Sequence, residues 1–202
     1  MALKNTPRHR LGRATAIGAL ALSLTAGPGV STAFADAPGA ATASTASTST
    51  ATASSAQMRA GLVARILSTA RSQIGYREHG NNCTKYGPCE EWCSLFATWV
   101  WRKAGVKIPK YAFTGDVYRW GQRNHVAWNK HWLKTAQPGD VLLFGTGPKN
   151  THTSTHIGIV ESVSRNKKTV TLIEGNAGNA VRRKKHKLSG SIFYGGVDPI
   201  GH

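Results

Sequence analysis

The run Gln137-Pro138-Gly139-Asp140-Val141-Leu142-Leu143-Phe144 divides the chain into two patterns. Before it, apolar residues recur at helical spacing. Met58, Leu62, Val63, Ile66, Leu67, Ala70 and Ile74 fall on one face and stop at Gly75, which predicts an amphipathic helix. A Gly/Asn/Cys-rich loop follows from Gly80 to Pro88. A second helix is predicted from Glu91 to Ala104, with Leu95, Phe96, Trp99 and Val100 inward and Gly105 as its stop, and a shorter one from Gly115 to Gly121. After the Pro-Gly-Asp turn the period becomes strand-like. Val141 to Phe144, His156 to Val163, Thr169 to Glu174, Ala180 to His186 and Ile192 to Val197 read as short strands. Helices first and an antiparallel sheet second define an α+β domain, with N-terminal helices packed on a small sheet.

Upstream of this domain the sequence changes character. Lys4, Arg8, Arg10 and Arg13 stand without an acidic residue before the apolar stretch Ala14 to Ala26, and small residues then end at Ala33-Phe34-Ala35. A basic head, a short apolar middle and an A-x-A ending predict a secretory signal peptide over residues 1–35. Residues Ala40 to Ala56 are only Ala, Ser and Thr, so 36–57 is expected to be a disordered linker. The folded domain is then 58–202, long enough to bury a core of its own. Secretion to the cell exterior is the expected localisation.

Charge narrows the partners. The 202 residues hold 26 Lys+Arg against 9 Asp+Glu, a net +17, and only four of those cations leave with the signal. The surplus points to anionic partners. Arg165-Asn166-Lys167-Lys168 and Arg182-Arg183-Lys184-Lys185-His186-Lys187 suit wall polyanions, the alternative being an ordinary solvated face. No apolar run reaches the roughly 18–20 residues that span a bilayer, so no membrane partner is expected. No nucleic-acid motif is recognisable, and a monomer is expected.

Three cysteines leave one thiol over. Cys83 and Cys89 lie in a loop and can close a small disulfide in an exported protein. A zinc site with His79 is the competing idea, but the C-x5-C-x3-C spacing fits no usual zinc pattern, so no metal is expected. Cys93 then remains. In the first turn of a helix it meets unpaired N–H groups and the positive end of the dipole, which favour a thiolate. Glu90 and Glu91 pull the other way, and a buried structural thiol stays the plain alternative. Among the histidines, His156 opens a predicted strand and is the best-held base; a surface strand histidine is its alternative. The hairpin turning near Arg165-Asn166-Lys167-Lys168 returns the chain to Glu174-Gly175-Asn176, beside the start of the His156 strand. A carboxylate or amide there can fix the imidazole tautomer, the orienting role in a Cys–His pair.

Together, Glu91-Trp92-Cys93-Ser94-Leu95-Phe96-Ala97-Thr98-Trp99-Val100, Gln137-Pro138-Gly139-Asp140-Val141, His156-Ile157-Gly158-Ile159-Val160 and Glu174-Gly175-Asn176 resemble the CHAP family of cysteine- and histidine-dependent amidohydrolases/peptidases. The resemblance covers roughly residues 62–198 and implies a papain-like fold of the CHAP/NlpC type. It implies a thiol hydrolase cutting amide bonds in peptidoglycan, as an amidase or an endopeptidase, in association with the cell wall. The family's nucleophile falls on Cys93, its base on His156 and its orienting residue on Glu174, with Asn176 as an added polar partner. Tyr86, upstream of the cysteine, falls where papain-like enzymes often complete the oxyanion hole. Some members carry an Asp-rich calcium loop before the cysteine; here Asn81 to Cys89 hold no carboxylate, and no cofactor is expected. The alternative class is a secreted basic binding protein for wall polyanions or nucleic acid, with Cys93 purely structural.

Overall fold

The computed structural model describes residues 46–200. The expected signal peptide and the first part of the expected linker lie outside those residues. Three helices come first: α1 (Ala46–Arg71), α2 (Cys93–Ala104) and α3 (Thr114–Arg123). The strands are β1 (Ala127–Asn129), β2 (Val141–Gly145), β3 (Ser154–Val163), β4 (Thr169–Glu174), β5 (Arg182–Lys187) and β6 (Phe193–Val197), with a 3-10 turn at Lys130–Thr135 between β1 and β2. They form one antiparallel sheet in the order β1-β6-β2-β3-β4-β5. The α+β expectation holds. Among the described residues, no helix is long and apolar enough to cross a membrane.

One boundary is corrected. Residues 46–57 were expected to be disordered, yet α1 begins at Ala46 and runs through them. The tract lacks apolar bulk, but alanine has the highest helix propensity of any residue, and a helix already anchored by Ile66 and Ala70 can extend into it. β1 and the 3-10 turn are additions that three residues of strand pattern do not announce.

The sheet is covered on both sides, which explains the unbroken apolar run at its centre. Leu143, Ile157, Ile159 and Ile173 pack with Phe96, Val100 and Trp101 of α2, whereas Leu142, Val160, Val170, Leu172 and Phe193 form a second cluster with Leu133 of the 3-10 turn. Strands buried on both faces need not alternate. The helical layer is pinned by Arg59 to Asp198 at 3.0 Å, Arg71 to Glu161 at 2.7 Å, and the Trp101 indole N–H to the Gly139 carbonyl at 3.0 Å. Two close approaches set the end of this scaffold where β4 meets α2. A Cβ on Gly175 would come within 2.5 Å of Phe96 Cβ, so only glycine lets the end of β4 press against α2. A Cβ on Gly158 would meet Glu174 Cγ at 2.9 Å, so that glycine leaves room for the carboxylate to lie across β3.

Candidate active site

Cys93 is the first residue of α2, and its neighbours decide why the helix starts there. Trp92 is fully buried and donates its indole N–H to Glu78 Oε2 at 2.7 Å, while Phe96 N–H bonds back to the Trp92 carbonyl at 2.9 Å. No side chain caps this helix start, so its first N–H groups are free to meet a ligand. Cys93 itself is 7% exposed and carries the one free thiol, because Cys83 and Cys89 are joined in a disulfide.

His156 lies near the start of β3, close enough to Cys93 for that side chain to help raise the imidazole pKa. Its Nε2 meets Glu174 Oε2 at 3.1 Å, which leaves Nδ1 as the ring nitrogen for the sulfur. The register explains the placement. Ile159 pairs with Ile173, so Gly158 stands opposite Glu174 and His156 is its diagonal neighbour on the same face. Burial pulls the imidazole pKa down, but the hydrogen bonds and charges of Cys93 and Glu174 outweigh it and push the value up to about 9. Phe144, opposite His156 on β2, packs against it with the rings tilted and 5.2 Å between ring centres.

Glu174 closes β4 with 1% of its surface exposed. A buried carboxylate needs partners, and it has two. Oε2 meets His156, and Oε1 meets Nε2 of His186 in a short hydrogen bond. Burial alone would raise its pKa, yet the two imidazoles hold it below the usual carboxylate range. His186 is a residue that sequence reasoning missed. It sits among lysines and arginines on the outer strand β5, where a solvated face is the plain expectation. Its alternate neighbours Lys185 and Lys187 are exposed, whereas its own side chain is 18% exposed and packs against Phe144 at 5.1 Å. A lone histidine inside a cationic run was the available signal.

Two expected site residues are placed elsewhere. Asn176 does not join His156; it adopts a left-handed φ of 54° and gives its amide to Glu91 Oε2 at 2.7 Å and to Asn82 Oδ1 at 3.5 Å. The turn after β4 reverses its direction and aims it at the loop before Cys93. Tyr86 is 1% exposed, stacked on Trp92 at 5.6 Å, and its hydroxyl donates to Gln73 Oε1 at 3.2 Å. A phenol has one proton to give. Tyr86 therefore supports the loop rather than supplying an oxyanion donor.

A cysteine at a helix start, a strand histidine near it and a buried carboxylate behind the imidazole are the kinds of group that nucleophilic thiol chemistry uses. The CHAP domain model matches residues 73–176, just over half of the sequence, and the chain belongs to that family. No curated protein matches it significantly. Among solved structures it is similar to the peptidoglycan hydrolase RipB from Mycobacterium tuberculosis, at 17% identity and a TM-score of 0.49, over 71% of this chain and 67% of that one. It is similar to an NLP/P60-family lipoprotein-like protein from Staphylococcus aureus at 19% identity and a TM-score of 0.45, over 70% and 42% of the two chains. An N-acetylmuramoyl-L-alanine amidase from Staphylococcus aureus matches at 11% identity and a TM-score of 0.41, over 61% and 38%.

Proposed function

We propose that this chain is an exported thiol hydrolase that cuts amide bonds in bacterial peptidoglycan through Cys93, His156 and Glu174. Membership of the CHAP family supports peptidoglycan hydrolysis. The observation that carries the reading to named residues is His156, whose pKa Cys93 helps to raise and whose Nε2 lies 3.1 Å from the Glu174 carboxylate. The Cys93 thiolate attacks the amide carbonyl carbon, and the oxygen takes up the negative charge beside the free N–H groups at the start of α2. The imidazolium of His156 protonates the departing amine, leaving a thioester and a neutral ring. His156 then takes a proton from water as its oxygen attacks the thioester carbonyl; the acid is released and the Cys93 thiolate and His156 imidazolium are restored. Glu174 keeps Nε2 occupied, so the ring presents Nδ1 throughout. The basic N-terminal head with its A-x-A ending supports export, and the surplus of positive charge supports retention at an anionic wall.

Substituting Cys93→Ala should abolish solubilisation of purified cell walls while leaving the circular dichroism spectrum unchanged. Undiminished lysis by that variant would defeat the assignment. Mass spectrometry of fragments from peptidoglycan of defined chemistry separates amidase from endopeptidase, by a new N-terminus at the sugar-linked alanine or within the stem and cross-bridge.

A further inference from the structure

Away from Cys93, toward the other end of α2, the surface holds a cavity of about 450 Å³ whose lining is Lys85, Tyr86, Trp99, Arg102, Lys103 and Lys110. Every one of these residues is cationic or aromatic. No carboxylate lines it, and among the described residues none of the four cations takes part in an ion pair. Like charges converging on one hollow repel each other, and an anion seated among them turns that repulsion into attraction. The cations arrive from three separate segments: the loop before α2, the last turns of α2 and the chain beyond Gly105.

Lys85 is also held in position. Its ammonium lies 4.5 Å from the Tyr76 ring centre, 5.7 Å from Tyr86 and 5.9 Å from Trp99. Its loop is closed by the Cys83–Cys89 disulfide. A cation fixed by three aromatic faces and a closed loop loses little freedom when it meets an anion. Lys103 rests over Trp99 as well, at 5.8 Å. With ammonium groups 5.9 and 5.8 Å from the Trp99 ring centre and Tyr86 buried, the lining offers cations ahead of aromatic faces on which a nucleobase could stack. The fit is to a polymer whose single anions alternate with neutral hydroxylated stretches.

We propose that this cavity binds the phosphodiester groups of an anionic, hydroxyl-rich cell-wall polymer, and so docks the enzyme on the wall apart from its catalytic groups. The proposal rests on the wall-directed reading above. It also moves polyanion binding away from the β3–β4 turn (Arg165 to Lys168) and β5, where the sequence alone would put it, to a pocketed site.

The test uses the full chain and fluorescently labelled short poly(glycerol phosphate), followed by polarisation across a salt series. The triple variant Lys85→Gln/Arg102→Gln/Lys103→Gln should bind about tenfold more weakly or worse and show a shallower salt dependence. The charge-matched control Lys184→Gln/Lys185→Gln/Lys187→Gln should bind within about threefold of the parent, and the pocket variant should still digest peptidoglycan stripped of phosphate polymer at the parent rate. Equal weakening by both variants would mean diffuse charge attraction and overturn the proposal. So would no weakening by the pocket variant, loss of its activity on stripped peptidoglycan, or equal pocket-dependent binding of a single-stranded oligonucleotide. If the parent binds the polymer through the pocket but hydrolyses no wall, the hydrolase reading falls and the pocket stands.

Discussion

Glu174→Gln exchanges one carboxylate oxygen for an amide and leaves the side-chain shape unchanged. The amide still accepts from one histidine and donates to the other, so the fold should survive. What disappears is the negative charge 3.1 Å from His156 Nε2. The imidazole stands at about 9 against an ordinary 6.5, a difference worth about 3 kcal/mol at roughly 1.4 kcal/mol per pH unit. Cys93 and Glu174 share in raising it against burial, and Cys93 is the larger contributor. Losing the carboxylate should therefore lower the imidazole pKa by about one unit, and more if the ring is then dominated by burial. The assay is the pH profile of wall lysis, followed by turbidity of purified walls. The alkaline limb reports the proton that His156 delivers to the leaving amine, so it should fall near pH 9 in the parent and near pH 8 or below in the variant. The same linkage acts on stability. A pKa raised by folding gives stabilisation that is complete below about pH 6.5 and lost as pH rises through about 9, and thermal unfolding of the variant should show less of that loss. An alkaline limb that stays in place in the variant would refute the reasoning.

Other outcomes follow from close packing and chain constraint. Gly158→Ala should push the Glu174 carboxylate off His156 and cut lysis steeply, at a stability cost of about 1–3 kcal/mol seen in thermal unfolding, because the new methyl would stand 2.9 Å from Glu174 Cγ and 2.8 Å from Leu172 Cδ1. Parental activity in that variant would show that the carboxylate is not needed where it lies. Replacing Cys83 and Cys89 by Ser should cost about 2 kcal/mol by urea unfolding, the loop-entropy value for a short closed loop, with Cys93 still the single titratable thiol. An unchanged midpoint would mean that the rest of the fold already orders the loop.

How much of this was legible beforehand depended on whether a residue's role is set by local pattern or by a long-range partner. The strands β2, β3, β4 and β6 announce themselves because apolar runs bounded by Gly, Pro and Asp have few other uses. The hairpin of β3 and β4 then brings Glu174 to His156 through register alone. α1 was misread at its start because the Ala/Ser/Thr tract is poor in core residues yet rich in the best helix former, and composition weighs only the first. Tyr86 is expected at the site from the family resemblance and Asn176 from the hairpin register and that resemblance, but loops aim side chains by turn geometry: the positive φ of Asn176 sends it to Glu91. His186 was hidden by its cationic neighbours, since nothing local distinguishes an inward-facing position on an outer strand until a buried carboxylate is found waiting for it.

The central claim is that His156 keeps the Cys93 sulfur ready to react. The direct measurement is intact-mass detection of iodoacetamide addition to the folded protein at pH 6, where an unassisted thiol reacts slowly. The account predicts one rapid adduct, at Cys93, that slows by orders of magnitude in His156→Ala. A parent thiol that resists alkylation until the protein is unfolded, or an equal rate in both proteins, would contradict it.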